Sequence, residues 1–99
     1  GEAGHADYAA AKGAITSGLL RTLKNDAAQI GNGVRVNAIA PGEVETDILS
    51  EGTDKIVKDI PLKRLGLPEE VANTIFFLCN NQSSYISGAE VHINGGQHV

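Results

Sequence analysis

Two short β-branched stretches, far apart and separated by helical sequence, constrain this chain more than any other feature. Val34-Arg35-Val36-Asn37-Ala38-Ile39-Ala40, stopped by Pro41-Gly42, reads as a strand. Gly88 introduces a second strand near Ala89–Asn94, closed by Gly95-Gly96. Helical sequence lies before the first strand and between the two, so the order is helix-strand-helix-helix-strand. Strands joined through helices imply a right-handed parallel crossover. A parallel sheet normally has both faces covered and neighbours at its edges. Two strands cannot meet that requirement. The expected class is therefore α/β, part of a doubly wound parallel sheet that is incomplete without further strands before Gly1.

The helices are marked by periodicity and by their stops. From about Asp7 to Gln29, Tyr8, Lys12, Ile15, Leu19 and Leu23 share a stripe about 80° wide, predicting one long helix with that stripe toward a core. Ala10, Ala14 and Gly18 form a second stripe of small residues that admits a closely packed neighbour. Gly31-Asn32-Gly33 ends the pattern. From Glu43 to Gly66 the sequence is mixed, with a short helix expected near Asp54–Ile60, capped by Thr53 and stopped by Pro61. Pro68, Glu69 and Glu70 open another helix, because proline suits the first position and acids suit the positive end. It carries Val71, Ala72, Ile75, Phe76, Leu78 and Cys79 before Asn80-Asn81 stops it.

Composition narrows the function classes. Ninety-nine residues allow one small domain or a piece of a larger one. The 41% hydrophobic content is too apolar for disorder, and no run approaches the roughly 18 residues of a membrane span. A net charge of −4 and 4% aromatic residues argue against nucleic acid as a partner. No leader is expected, and a lone cysteine, Cys79, fits a reducing compartment and a small buried hydrophobe. Glu45 and Asp47 read as solvated rather than as metal ligands, and His5, His92 and His98 share no ligand spacing, so no metal is expected.

Tyr8 and Lys12 carry the chemistry. Four apart on one helix, their side chains are neighbours. A nearby ammonium favours the phenolate and lowers the tyrosine pKa from about 10. A phenol so tuned suits general acid–base work in a carbonyl–alcohol interconversion. The pair by itself is also compatible with a packed tyrosine and a lysine that snorkels to solvent.

Several segments in order add to the pair. Tyr8-Ala9-Ala10-Ala11-Lys12-Gly13-Ala14 resembles the active-site helix of the short-chain dehydrogenase/reductase family. Gly33-Val34-Arg35-Val36-Asn37-Ala38-Ile39-Ala40-Pro41-Gly42 resembles its sixth strand and following turn. Pro61-Leu62, Arg64, Gly66, Pro68-Glu69-Glu70-Val71-Ala72 and Phe77-Leu78 resemble its next loop and helix. Ile86-Ser87-Gly88, then Val91 through Gly95-Gly96, resemble its closing strand.

The resemblance, similar to 3-oxoacyl-carrier-protein reductases and to sugar or alcohol dehydrogenases, implies that residues 1–99 form the C-terminal half of one Rossmann-like domain. It implies an NAD- or NADP-dependent oxidoreductase in which Tyr8 exchanges a proton with a small carbonyl or alcohol substrate. Lys12 would assist Tyr8 and bond the nicotinamide ribose. Pro41, Gly42, Val44 and Thr46 would bind the cofactor. Glu43 departs from the apolar residue common at its position, and Ser17 is not the family's catalytic serine, which falls before Gly1. A glycine-rich Gly-x-Gly-x-x-Gly turn is absent from these residues. The isolated chain is therefore expected to be inactive, with activity belonging to a cytoplasmic, homo-oligomeric parent, dimer or tetramer. The alternative is a non-catalytic fragment acting as a structural or interaction piece.

Overall fold

A computed structural model describes residues 4, 6–46 and 52–97, apart from the side chains of Tyr8, Thr16 and Ser17. Helix α1 (Ala6–Gly13) runs into a π-helical stretch (Ala14–Leu19) and then α2 (Leu20–Ile30). Strand β1 (Ala38–Pro41), helices α3 (Thr53–Lys58) and α4 (Pro68–Cys79), a 3₁₀ turn (Asn81–Ser83) and strand β2 (Glu90–Ile93) follow. The order expected from the sequence holds. β1 and β2 form a two-stranded sheet. Ala38 N–H donates to Ala89 C=O and Gly42 N–H to Ile93 C=O, both at 2.9 Å. Residue numbers rise together along both strands, so the sheet is parallel and the class is α/β.

The chain forms two compact units. One comprises Gly1–Ala38 with Ser84–Glu90, the other Ile39–Ser83 with Val91–Val99.

In the first unit the expected long helix is interrupted. The Leu20 N–H reaches back to Ile15 C=O, a five-residue step that widens the turn around Gly18. The buried residues of α2 are Leu20 and Ala27, whereas Ile15, Leu19 and Leu23 are 50%, 52% and 40% exposed. Lys12 is exposed as well. Four residues of the stripe expected to face a core, Lys12, Ile15, Leu19 and Leu23, are thus exposed among the described residues. Periodicity identified an apolar face, but a face is buried only where something packs on it.

The first strand is shorter than expected at its start. Across Val34–Asn37 side chains take the place of a regular ladder. Asn37 Nδ2 donates to Ile86 C=O and the Ala89 N–H to Asn37 Oδ1, both at 2.9 Å. Arg35 Nη1 donates to the same Ile86 carbonyl at 3.0 Å. The Gly88 N–H donates to Val36 C=O at 2.7 Å, and Gly88 has a φ of +80° that favours glycine.

The second unit centres on Ile60, 2% exposed, beneath the turn that follows β2. Leu62 N–H donates to Gly95 C=O at 3.1 Å. A Cβ on Gly95 would stand 2.9 Å from Ile60 Cγ2, so the turn lies directly on this core. Thr53 is not the cap of α3. Gly52 caps it with φ 101°, and its carbonyl accepts the N–H groups of Lys55 and Ile56 at 3.0 and 3.2 Å. Glycine reaches that backbone region without a Cβ clash, which threonine does not. α4 begins and ends as its sequence predicts. Beyond its end, the buried Ser83 hydroxyl sits 2.8, 3.0 and 3.1 Å from the carbonyls of Phe77, Leu78 and Asn80, where it serves acceptors the helix leaves open. Cys79 is exposed rather than buried, as α4 has no buried residue on any face.

Candidate functional site

Tyr8 and Lys12 lie within α1, in the first unit. They are four residues apart on one continuous helix, so their backbone positions share one face. Pro41, Gly42, Val44 and Thr46 lie in the second unit, at the carboxyl end of β1 and in the segment leaving it. Asp47, His5 and His98 lie outside the described residues. His92 is on β2 and exposed, and among the described residues no cluster of three His, Cys, Asp or Glu side chains is placed to hold a metal ion. Among them, too, no helix is long and apolar enough to cross a membrane.

Gly42 follows β1 and lies in close contact with Asn94, which follows β2. A Cβ there would meet Asn94 Cβ at 2.7 Å and Asn94 Cα at 3.0 Å. The need for glycine at this position is therefore accounted for by Asn94, a neighbour that the motif alone did not reveal.

The segment after Gly42 is clasped. Glu45 N–H donates to Gly66 C=O at 2.8 Å, and Gly66 N–H donates to Glu43 C=O at 2.9 Å. Val44 and Gly66 thereby form an isolated parallel bridge. Both flanks of Gly66 are tied to one carboxylate at the start of α4. Glu70 accepts Arg64 Nη1 at 2.7 Å, Arg64 Nη2 at 2.9 Å and the Leu67 N–H at 3.0 Å. The fork of Arg64 and the Leu67 amide hold the Glu70 carboxyl down at about 2, well below its ordinary value. Leu67 has no side-chain acceptor, so only the Glu70 half of a capping box is made. A cleft of about 450 Å³ lies in this unit, lined by Val44, Leu62, Arg64, Glu70, Val71 and His92 among others.

Sequence reasoning missed the clasp. The spacing of Glu70 three residues after Leu67 signals an N-terminal cap, but nothing in the pattern ties Arg64 to Glu70 or Gly66 to Val44.

The parallel pairing of β1 and β2 with helices between them defines the α/β class, in which ligand sites lie at the carboxyl ends of strands. Comparison with known proteins narrows this. A family model described as enoyl-(acyl carrier protein) reductase matches residues 1–98. The chain is 55% identical over 93 residues to protein FixR of Bradyrhizobium diazoefficiens, covering 93% of this chain and 32% of that protein. It is 43% identical over 100 residues to the 3-oxoacyl-(acyl-carrier-protein) reductase FabG of Aquifex aeolicus, covering 97% of this chain and 39% of that protein. The crystal structure of a short-chain dehydrogenase/reductase of Brucella melitensis, described as a glucose/ribitol dehydrogenase, superposes with a TM-score of 0.84 at 36% identity. That match covers 100% of this chain and 40% of the other. The chain belongs to the short-chain dehydrogenase/reductase family. It spans 32% and 39% of the lengths of the two curated relatives named.

Proposed function

We propose that these residues are the C-terminal half of a single dehydrogenase/reductase domain, and that the complete protein is an NAD- or NADP-dependent oxidoreductase acting on a small carbonyl or alcohol. The observation that carries the reading is the Tyr8–Lys12 spacing on a continuous helix, in a chain of demonstrated family membership. A bound nicotinamide cofactor supplies a hydride to the carbonyl carbon, or accepts one from the alcohol carbon.

Tyr8 Oη gives a proton to the carbonyl oxygen in reduction and takes one from the hydroxyl in oxidation. Lys12 favours the phenolate through its charge and offers donors to the ribose hydroxyls. Pro41, Gly42, Val44 and Thr46 seat the nicotinamide end. The fit to that group rests on their position: a segment at the carboxyl end of a parallel strand, its backbone fixed at Glu43 and Glu45 by Gly66. These residues contain no glycine-rich turn for a pyrophosphate, so the 99-residue chain alone is inactive. The parent is a cytoplasmic homo-oligomer, dimer or tetramer, and the exposed Ile15, Leu19 and Leu23 support the presence of a covering partner or further chain.

The test uses the full-length protein, NADH and NADPH, and a panel of 3-oxoacyl thioesters, sugars and simple alcohols. Turnover is expected with at least one pairing, and Tyr8→Phe lowers kcat by about a hundredfold to ten-thousandfold while cofactor still binds. Full activity in Tyr8→Phe would overturn the assignment. No turnover across the panel, with no cofactor binding, would favour the non-catalytic alternative.

A further inference from the structure

We propose that Glu70 and Arg64 are positioning residues for Glu43–Thr46, acting through the backbone of Gly66; this rests on the reading of that segment as the seat of the nicotinamide end. The chain leaves the sheet through Thr46 and returns at Leu65, and the bridge between Val44 and Gly66 closes the base of that excursion. Two backbone hydrogen bonds, at 2.8 and 2.9 Å, are all that the bridge itself contributes. With no neighbouring rungs, such a bridge holds only if each side is fixed independently.

Glu43 follows Gly42, whose N–H is bonded to Ile93 at the end of the sheet, so that side is anchored. Glu70 anchors the other. Its carboxylate takes both arms of the Arg64 fork on one flank of Gly66 and the Leu67 N–H on the other flank. Arg64 Nη1 also donates to Leu65 C=O at 3.2 Å, which draws the intervening residue into the same arrangement. Losing this one carboxylate releases both flanks of Gly66 together, and with them the anchor of Glu43 and Glu45.

A seat formed only part of the time binds in proportion to its population. If removal of Glu70 leaves the seat formed a tenth of the time, the cofactor Kd rises about tenfold. Saturating cofactor restores the seat, so kcat changes little. Were Glu70 only a cap for α4, its loss would lower stability and leave Kd unmoved.

The experiment titrates NADH and NADPH by nicotinamide fluorescence into full-length wild type, Glu70→Ala, Glu70→Gln and Arg64→Lys. Hydrogen exchange of the Glu45 amide is followed in parallel without cofactor. Expected are a Kd raised about tenfold in Glu70→Ala, faster exchange at Glu45, and kcat at saturation within about twofold of wild type. Arg64→Lys gives a smaller rise, because lysine keeps the charge and loses the fork. Glu70→Gln retains an acceptor for the Leu67 N–H, so it keeps the test open should Glu70→Ala fail to fold. Unchanged Kd in folded Glu70→Gln and Arg64→Lys, or unchanged exchange at Glu45, overturns the proposal. A wild-type protein that binds neither cofactor overturns the functional reading itself, a result distinct from a wild type that binds and variants that match it.

Discussion

Replacing Gly42 by alanine tests why glycine stands at the end of β1. The new Cβ would lie 2.7 Å from Asn94 Cβ and 3.0 Å from Asn94 Cα. Carbon atoms rest at about 3.5–4.0 Å, so one strand end has to yield by about 1 Å. Neither end is loose. Gly42 N–H is bonded to Ile93 C=O at 2.9 Å, and Asn94 accepts the Gly96 N–H at 3.0 Å on Oδ1 and the Gln97 N–H at 3.1 Å on its carbonyl. Overpacking costs about 1–3 kcal/mol and one lost ladder bond about 0.5–1.5 kcal/mol, so a total of about 3 kcal/mol is expected. With an m-value of about 3 kcal/mol/M for a full-length protein, the urea midpoint falls by about 1 M. Asn94→Gly deletes the atom in closest conflict, so the double mutant should recover part of the loss, with a coupling of about 1 kcal/mol or more. A Gly42→Ala protein within about 0.5 kcal/mol of wild type, or strict additivity with Asn94→Gly, refutes the packing argument. A variant of normal stability and weakened cofactor binding would instead assign the glycine to the ligand.

Other consequences can be checked in the same protein. Ser83→Ala removes a buried hydroxyl shared among three carbonyls at the end of α4, and a loss of about 1–3 kcal/mol in urea denaturation is expected. The Glu70 carboxyl is held at about 2 against an ordinary 4.5, so the unfolded chain binds its proton first as pH falls. The stability that Glu70 contributes is therefore complete above about 4.5 and disappears as pH drops to about 2. In urea titrations the difference between wild type and Glu70→Gln, present at neutral pH, should close across that window, and a difference persisting at its lower end would contradict the Arg64 pairing.

Much of the architecture was legible from residue pattern because local rules act over a few positions. Pro68 with its two following acids set the start of α4, and Gly88 and Gly95-Gly96 bracketed β2. That Tyr8 and Lys12 share one helix was legible for the same reason, since the periodic pattern around them is local. Partners separated by 50 or so residues were not legible. Asn37 meets Ile86 and Ala89, and its side chain takes over bonds that the β-branched sequence had assigned to a regular strand from Val34. Propensity describes what a backbone segment favours by itself, and it has no access to a side-chain amide that arrives from the same strand to bond a distant one.

The order of helices and strands, the parallel crossover and the membership of an oxidoreductase family were thus determined by the sequence, through periodicity, proline and glycine punctuation and a series of short motifs. Tertiary structure decided which apolar faces are covered, why Gly42 has to be glycine, and how Gly66, Arg64 and Glu70 hold the segment after β1. Those outcomes depend on which surfaces meet across long separations in the chain. Close packing and hydrogen-bond geometry act only between groups that folding has already brought within a few ångströms.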